Sequence, residues 1–155
     1  MPEMCAGKGI CGEYKIDIGC GDKSSDELIG VDISKHSVAD IIHDVRFGLP
    51  FCTNSAKYIT STNFLEHLTI DEFNHLMWEI WRVLKPGGTF EASAGYGHSN
   101  TRWQDPTHKS GYTIKTFTYF KTGTKHQLLY DLPPFKNVET TQVGEIIKVI
   151  MQADK

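Results

Sequence analysis

The run Tyr14-Lys15-Ile16-Asp17-Ile18-Gly19-Cys20-Gly21, followed after a short link by Leu28-Ile29-Gly30-Val31-Asp32, constrains the fold of this chain more than any other segment. Alternating apolar residues that end in Gly-x-Gly predict a strand closed by a tight turn, because glycine accepts positive φ and lets backbone approach a ligand closely. The second run predicts another strand, this one ending on the carboxylate of Asp32. Two such strands in sequence point to an open α/β sheet with a ligand crevice at its carboxyl edge.

An acidic residue closing the second strand can accept hydrogen bonds from both hydroxyls of a ribose, so the pair of strands predicts an adenosine-binding site. Two ligand classes use that geometry, dinucleotides and S-adenosylmethionine. A dinucleotide needs its pyrophosphate at a helix N-terminus, where free N–H groups and the helix dipole favour negative charge. The link Asp22-Lys23-Ser24-Ser25-Asp26-Glu27-Leu28-Ile29 is too short and too polar for a crossover helix, and Ser24 replaces the third glycine of G-x-G-x-x-G. S-adenosylmethionine carries no phosphate and loses less by that omission.

A length of 155 residues suits one domain, 1–155, with a sizeable core, and 39% hydrophobic with 23% charged residues is the composition of a globular protein. A net charge of -3 provides no basic field for nucleic acid. No apolar run reaches the roughly 20 residues that span a bilayer, and the expected location is cytoplasmic. Cys5, Cys11, Cys20 and Cys52 form no C-x-x-C pair. They are expected to be free thiols, with no metal site among them. Residues 1–12 are expected to be a flexible leader.

Further along, Val38–Asp44 predicts a third short strand and Lys57–Thr62 a fourth. Thr69 and Glu72 have capping-box spacing, and Phe73, Leu76, Met77, Ile80 and Leu84 recur on one helical face until Lys85-Pro86-Gly87-Gly88 stops the helix. Thr89–Ser93 predicts a fifth strand, parallel to the fourth across a right-handed crossover. Ala94–Pro134 reads as an elaborated loop with a short helix starting near Thr113. Val138–Gln142 and Ile146–Met151 predict a terminal hairpin, giving an open, mostly parallel sheet with an antiparallel edge.

Five ordered motifs together, Asp17-Ile-Gly-Cys-Gly21, Gly30-Val-Asp32-Ile-Ser34, His43-Asp44 with Leu49-Pro50-Phe51, Ser61-Thr-Asn63-Phe-Leu-Glu66-His67-Leu68 and Trp81-Arg-Val-Leu-Lys-Pro-Gly-Gly88, resemble the class I, Rossmann-like S-adenosylmethionine-dependent methyltransferases from roughly Tyr14 to Phe120. The likeness is to small methyltransferases of the type 11 kind in which Asp105-Pro-Thr-His108 follows the fifth strand. It implies S-adenosyl-L-methionine as cofactor. Backbone at Gly19, Cys20 and Gly21 would meet its amino-acid moiety, with Asp17 at the ammonium. Asp32 would take the ribose hydroxyls, Ile33 would pack on adenine, Asp44 would meet the adenine amino group and Val45 a ring nitrogen. Asn63 and Phe64 would line the floor under the sulfonium, with Glu66 and His67 at the mouth. Lys23 stands where the family has a third glycine, and both the N-terminal helices and the helix after the first strand are missing. A homodimer or a partner protein over the open site would compensate.

Methyl transfer is an in-line displacement in which alignment of the acceptor supplies most of the rate, and a base helps only an acceptor that must lose a proton. His108 is the candidate base and Asp105 its orienting carboxylate or a binder of a substrate cation; the structural alternative is a histidine that packs the loop. His67 and His98 are weaker candidates of the same type. Tyr96, Trp103, Tyr112, Phe117, Tyr119 and Phe120 either wall a substrate pocket or, more simply, form the core of the long loop, while Lys23, Lys35 and Lys109 read as surface charges unless the acceptor is anionic. The expected activity is methyl transfer to an unidentified acceptor. The alternatives are a methyltransferase-like module that binds without catalysis and, less compatibly with the missing helix, a nucleotide-dependent oxidoreductase or epimerase.

Overall fold

Alternation of apolar and polar residues in Tyr14–Ile18 is resolved by a sheet that buries one face only. The structure is a computed structural model that describes residues 3–5, 9–23 and 25–155, without the side chains of 3–5 and 11. Its strands are β1 (Glu3–Cys5), β2 (Gly9–Cys11), β3 (Tyr14–Ile18), β4 (Ile29–Asp32), β5 (Ile41–Ile42) and β6 (Ala56–Thr62), followed by helix α1 (Ile70–Val83) and β7 (Leu84–Gly95). Short helices α2 (Asn100–Gln104) and α3 (Lys125–Leu129) come next, then β8 (Phe135–Val143) and β9 (Ile146–Ala153). A seven-stranded sheet has the order β5-β4-β3-β6-β7-β9-β8. Its first five strands are mutually parallel, and the β8–β9 hairpin joins antiparallel at β7. This is the expected Rossmann-like architecture, with the terminal hairpin longer than its sequence suggested.

Ile16, Ile18, Val31, Ile59, Phe90, Ala92, Val149 and Met151 point to the buried side, where they share one cluster with Phe73, Leu76, Met77, Ile80 and Val83 of α1. Between them along the strands, Lys15 pairs with Glu27 at 2.9 Å and the Tyr58 hydroxyl donates to Glu91 at 2.8 Å. Parallel sheets normally carry helices on both faces. Here the described residues of the link from β3 to β4 form none, so polar side chains cover the second face.

Helix α1 begins as its sequence requires. The Thr69 hydroxyl accepts from the Glu72 N–H, and Glu72 accepts the Thr69 N–H at 2.8 Å, closing the capping box. Thr69→Ala is expected to cost about 1 kcal/mol, measured by urea denaturation, with no change in the fold. The Lys85–Gly88 stop is built differently from expectation. Leu84 already pairs with Ala56 and Thr89 with Tyr58, so the Pro-Gly-Gly segment bulges out of β7 rather than preceding it.

Three other expectations change. The third strand contracts to Ile41–Ile42, because only Val31 and Asp32 of β4 offer it partners. In the long loop the helix anticipated near Thr113 is a 3-10 turn at Phe117–Phe120, while α2 and α3 were not foreseen. Cys20 is a buried free thiol as expected, but Cys52 is disulfide-bonded. The leader expectation falls partly on residues outside the described ones. Of those described, β1 and β2 pair antiparallel, and Ile10 exchanges backbone hydrogen bonds with Pro50 and Cys52 at 3.0 Å.

Candidate active site

The chain leaves β3 toward β4 and β5 on one side of the sheet and returns to β6 on the other, so the carboxyl ends of β3 and β6 flank a topological switch point, where open α/β sheets place ligands. Gly19 ends β3 with φ +72°, and Phe64 follows β6; a Cβ on Gly19 would lie 2.4 Å from the Phe64 ring. The glycine is therefore required twice, by its backbone conformation and by the ring packed on it. Asn63 also adopts positive φ, 51°, and its N–H donates to Ser93 O at 2.9 Å, which turns the chain so that Phe64 faces the glycine turn.

Asp32 organises the turn from the neighbouring strand. Its Oδ2 accepts the Gly21 N–H at 3.0 Å and its Oδ1 accepts the Ser34 N–H at 2.8 Å. Ile33 beside it is 57% exposed, a large aliphatic surface without a protein partner for most of its area. A cavity of about 220 Å³ opens here, lined by Gly19, Asp32, Ile33, Asp44, Val45, Phe64 and His67 from the expected set, and also by Val31, His43, Arg46, Leu68 and Lys109.

The remaining expected residues have other placements. Gly21 and Asn63 shape the turns beside the cavity without lining it. The Cys20 side chain faces the interior against Gly30, and burial, helped by the charges of Asp32 and Asp17, pushes its thiol up to about 11. It is a neutral packing group at ordinary pH, and only its backbone belongs to the turn. Asp17 is half-buried at the end of β3; burial raises its carboxyl pKa, opposed by Lys23 and reinforced by Asp32. Asp44 lines the cavity but is not free, since Arg46 Nε and Nη2 hold its carboxylate at 2.9 and 2.7 Å. That hydrogen bonding lowers the Asp44 pKa. Arg46 was missed because an Asp-x-Arg spacing carries no signal distinguishing a site pair from a surface pair.

The loop after β7 reaches the cavity through backbone contacts with the turn after β6. Glu66 O accepts the N–H groups of Lys109 and Ser110 at 2.7 and 3.1 Å, and the Tyr112 hydroxyl donates to Leu65 O at 2.8 Å. The buried Glu66 side chain accepts the Gly95 N–H at 2.5 Å, tying the end of β7 to the same turn. Glu66 is therefore a clamp rather than a mouth residue. The clamp sets His108 edge-on to His67, with ring centroids 4.7 Å apart. His108 Nδ1 donates to the Arg102 carbonyl at 2.8 Å, and its Nε2 lies 3.6 Å from Asp105 Oδ2. Thr107 bridges the group: its hydroxyl donates to Asp105 Oδ1 at 2.6 Å and lies 3.0 Å from His67 Nδ1. Both the hydroxyl and the Thr107 N–H lower the Asp105 pKa.

His108, Asp105 and His67 thus lie close together, but the Arg102 carbonyl rather than Asp105 orients the His108 ring. Among the aromatic residues, Tyr112, Phe117 and Phe120 are buried against Phe73 and form the loop's own core, the simpler of the two readings. Trp103 is exposed, with the Arg102 guanidinium 4.0 Å over its ring.

The methyltransferase domain family matches residues 16–92, which contain the glycine turn, Asp32, the cavity floor and α1. These residues form a methyltransferase domain of the class I, S-adenosylmethionine-dependent type. Solved structures share the methyltransferase fold at low identity. A SAM-dependent methyltransferase from Archaeoglobus fulgidus superposes with a TM-score of 0.68 at 15% identity, covering 92% of this chain and 86% of that one. A putative methyltransferase of Haloferax volcanii, solved in complex with the Trm112 methyltransferase activator, gives 0.66 at 15% identity, over 94% and 84% of the two chains. Phosphoethanolamine N-methyltransferase 2 of Haemonchus contortus, in complex with phosphomonomethylethanolamine and S-adenosylhomocysteine, gives 0.68 at 14% identity, over 96% of this chain and 50% of that one. No curated protein matches the chain.

Proposed function

We propose that the protein binds S-adenosylmethionine in the crevice between β3 and β6 and transfers its methyl group to an acceptor seated against His67 and His108. The observation that carries this reading is the meeting, on one cavity, of the Gly19 turn, the Asp32 carboxylate, the uncovered Ile33 side chain and the Phe64 floor. The fit is chemical as well as spatial. Ile33 offers an apolar face to adenine, Asp32 retains acceptor capacity for ribose hydroxyls, and the half-buried Asp17 gains from a cation. The bound sulfonium supplies an electrophilic methyl carbon and departs as a thioether.

The chain's own part is alignment and proton handling. The Arg102 carbonyl can only accept, so it fixes the proton of His108 on Nδ1 and leaves Nε2 with a lone pair able to take a proton from the acceptor. Asp105 stays ionised beside it and stabilises the imidazolium that results. The cavity, about 220 Å³, is smaller than the roughly 300–1,000 Å³ of typical ligand pockets. The ligand therefore extends into the open mouth, and a second subunit or partner protein closes over it. The activator bound to the Haloferax volcanii neighbour is a precedent for such a partner.

The test is amide NMR of the labelled protein titrated with S-adenosylhomocysteine. Shifts concentrated at Gly19, Gly21, Asp32, Ile33 and Val45 support the proposal; shifts elsewhere, or none at millimolar ligand, overturn it. Asp17 adds a pH signature. Its folded pKa lies above 3.8 and a cationic ligand binds its ionised form, so affinity for S-adenosylmethionine rises with pH through the acidic range. Asp17→Asn flattens that limb, as calorimetry across the same pH values will show.

A further inference from the structure

We propose that His67, Asp105 and His108 form a divalent-metal site at the mouth of the cofactor cavity, taking a first-row transition ion of the zinc or cobalt class. Each residue offers one ligand atom, and these atoms lie within 4.8 Å of one another. Donors bound to one ion sit about 2.0–2.2 Å from it, hence roughly 3–3.5 Å from each other. The His108 Nε2 to Asp105 Oδ2 distance of 3.6 Å is already near that value, and the half-exposed Asp105 side chain can rotate to close the remainder.

Proton positions make the case stronger than proximity. Thr107 Oγ1 has one proton and gives it to Asp105 Oδ1, so toward His67 it can only accept. His67 must then carry its proton on Nδ1, and its Nε2 presents a lone pair. The Arg102 carbonyl imposes the same tautomer on His108 from outside the cluster. Metal-bound histidines almost always donate their other ring N–H to a carbonyl, carboxylate or water, and here a carbonyl and a hydroxyl occupy those positions. The alternative, a proton shared between His108 Nε2 and Asp105 Oδ2, is not formed, since 3.6 Å exceeds hydrogen-bond length.

Imidazole with carboxylate suits zinc, cobalt, nickel or iron rather than calcium or magnesium, and a site of three protein ligands leaves positions open, as in catalytic zinc centres. His67 also lines the cofactor cavity, so the open positions adjoin the transferred methyl group. This use rests on the methyl-transfer reading and, with His108 Nε2 on the ion, takes the place of that nitrogen's role as base. An acceptor hydroxyl, thiol or amine placed on the ion loses its proton to solvent more readily, and its lone pair then forms the bond to carbon as the carbon–sulfur bond breaks.

The experiment takes chelator-stripped protein and titrates it with Co²⁺, followed by visible absorption and calorimetry, with Zn²⁺ as competitor. Asp105→Asn, His108→Gln and Thr107→Val are run beside wild type, with melting curves to confirm that each folds. One equivalent of Co²⁺, displaced by Zn²⁺ and weakened at least about tenfold in Asp105→Asn and His108→Gln, supports the site; the same order of loss is expected for Thr107→Val through the tautomer it fixes. No saturable binding, or equal affinity in the folded variants, overturns it. S-adenosylhomocysteine titrated into the same samples separates the two readings. Metal binding without it leaves the site standing and removes the methyltransferase proposal, and the converse result removes only the metal.

Discussion

Asp32→Ala will lose S-adenosylhomocysteine binding by about a hundredfold or more. A carboxylate that accepts two hydroxyl hydrogen bonds contributes roughly 1.5–3 kcal/mol for each, and 2.7 kcal/mol is already a factor of about a hundred. The same carboxylate holds the Gly21 and Ser34 N–H groups at 3.0 and 2.8 Å, so its removal also loosens the glycine turn from both sides. Asp32→Asn separates the two contributions. It preserves shape and one acceptor, retains more of the turn than of the ribose contact, and should fall between alanine and wild type. Calorimetry on variants with unchanged melting curves gives the answer; an alanine variant within threefold of wild type would remove Asp32 from the cofactor site.

Gly19→Ala will be the more damaging change to the protein itself. A Cβ there enters the left-handed region at φ +72°, a cost of about 1–2 kcal/mol, and meets Phe64 ring atoms at 2.4 Å, which adds about 1–3 kcal/mol of overpacking. The total, about 2–5 kcal/mol, is a large share of the stability of a domain of this size. Gly21 is the control: its φ is +57°, but nothing lies within 4 Å of a Cβ placed on it, so Gly21→Ala carries only the conformational cost. Phe64→Leu introduced into the Gly19→Ala background should recover part of the loss. Urea denaturation of the four proteins decides the matter, and equal losses for the two glycine variants would show that the Phe64 contact is unimportant.

What could be read in advance was local. The strand before Gly19, the carboxylate closing β4 and the capping box of α1 each depend on residues within a few positions of one another, and each is found as expected. The terminal hairpin was also legible, because β9 alternates between buried and exposed residues, although a register shift between Lys136 and Glu139 interrupts β8. What could not be read depends on distant partners. Pro86 and Gly87 look like a boundary, yet pairing of Leu84 with Ala56 turns them into a bulge inside β7. The loop after β7 has weak propensities of its own and takes its form from Leu65 and Glu66, whose carbonyls hold Tyr112, Lys109 and Ser110. The meeting of His67 with His108 is a consequence of that docking, and no spacing in the sequence announces it. Asp44 was placed at the cavity from its motif, but its grip on Arg46 became visible only in the structure.

The open second face of the sheet links fold to function. With no helix among the described residues between β3 and β4, the glycine turn and Asp32 lie under little cover, and polar pairs such as Lys15 with Glu27 keep the uncovered strands compatible with water. Under the proposed function, a site this open needs a second subunit or a partner to complete its methyl-transfer end.

The most direct test is a calorimetric titration of the purified protein with S-adenosylhomocysteine, with NAD as the control ligand. Saturable binding at one ligand per chain, with no response to NAD, is the predicted result; NAD binding in the absence of S-adenosylhomocysteine binding would contradict the assignment of the crevice between β3 and β6 to a methyl donor.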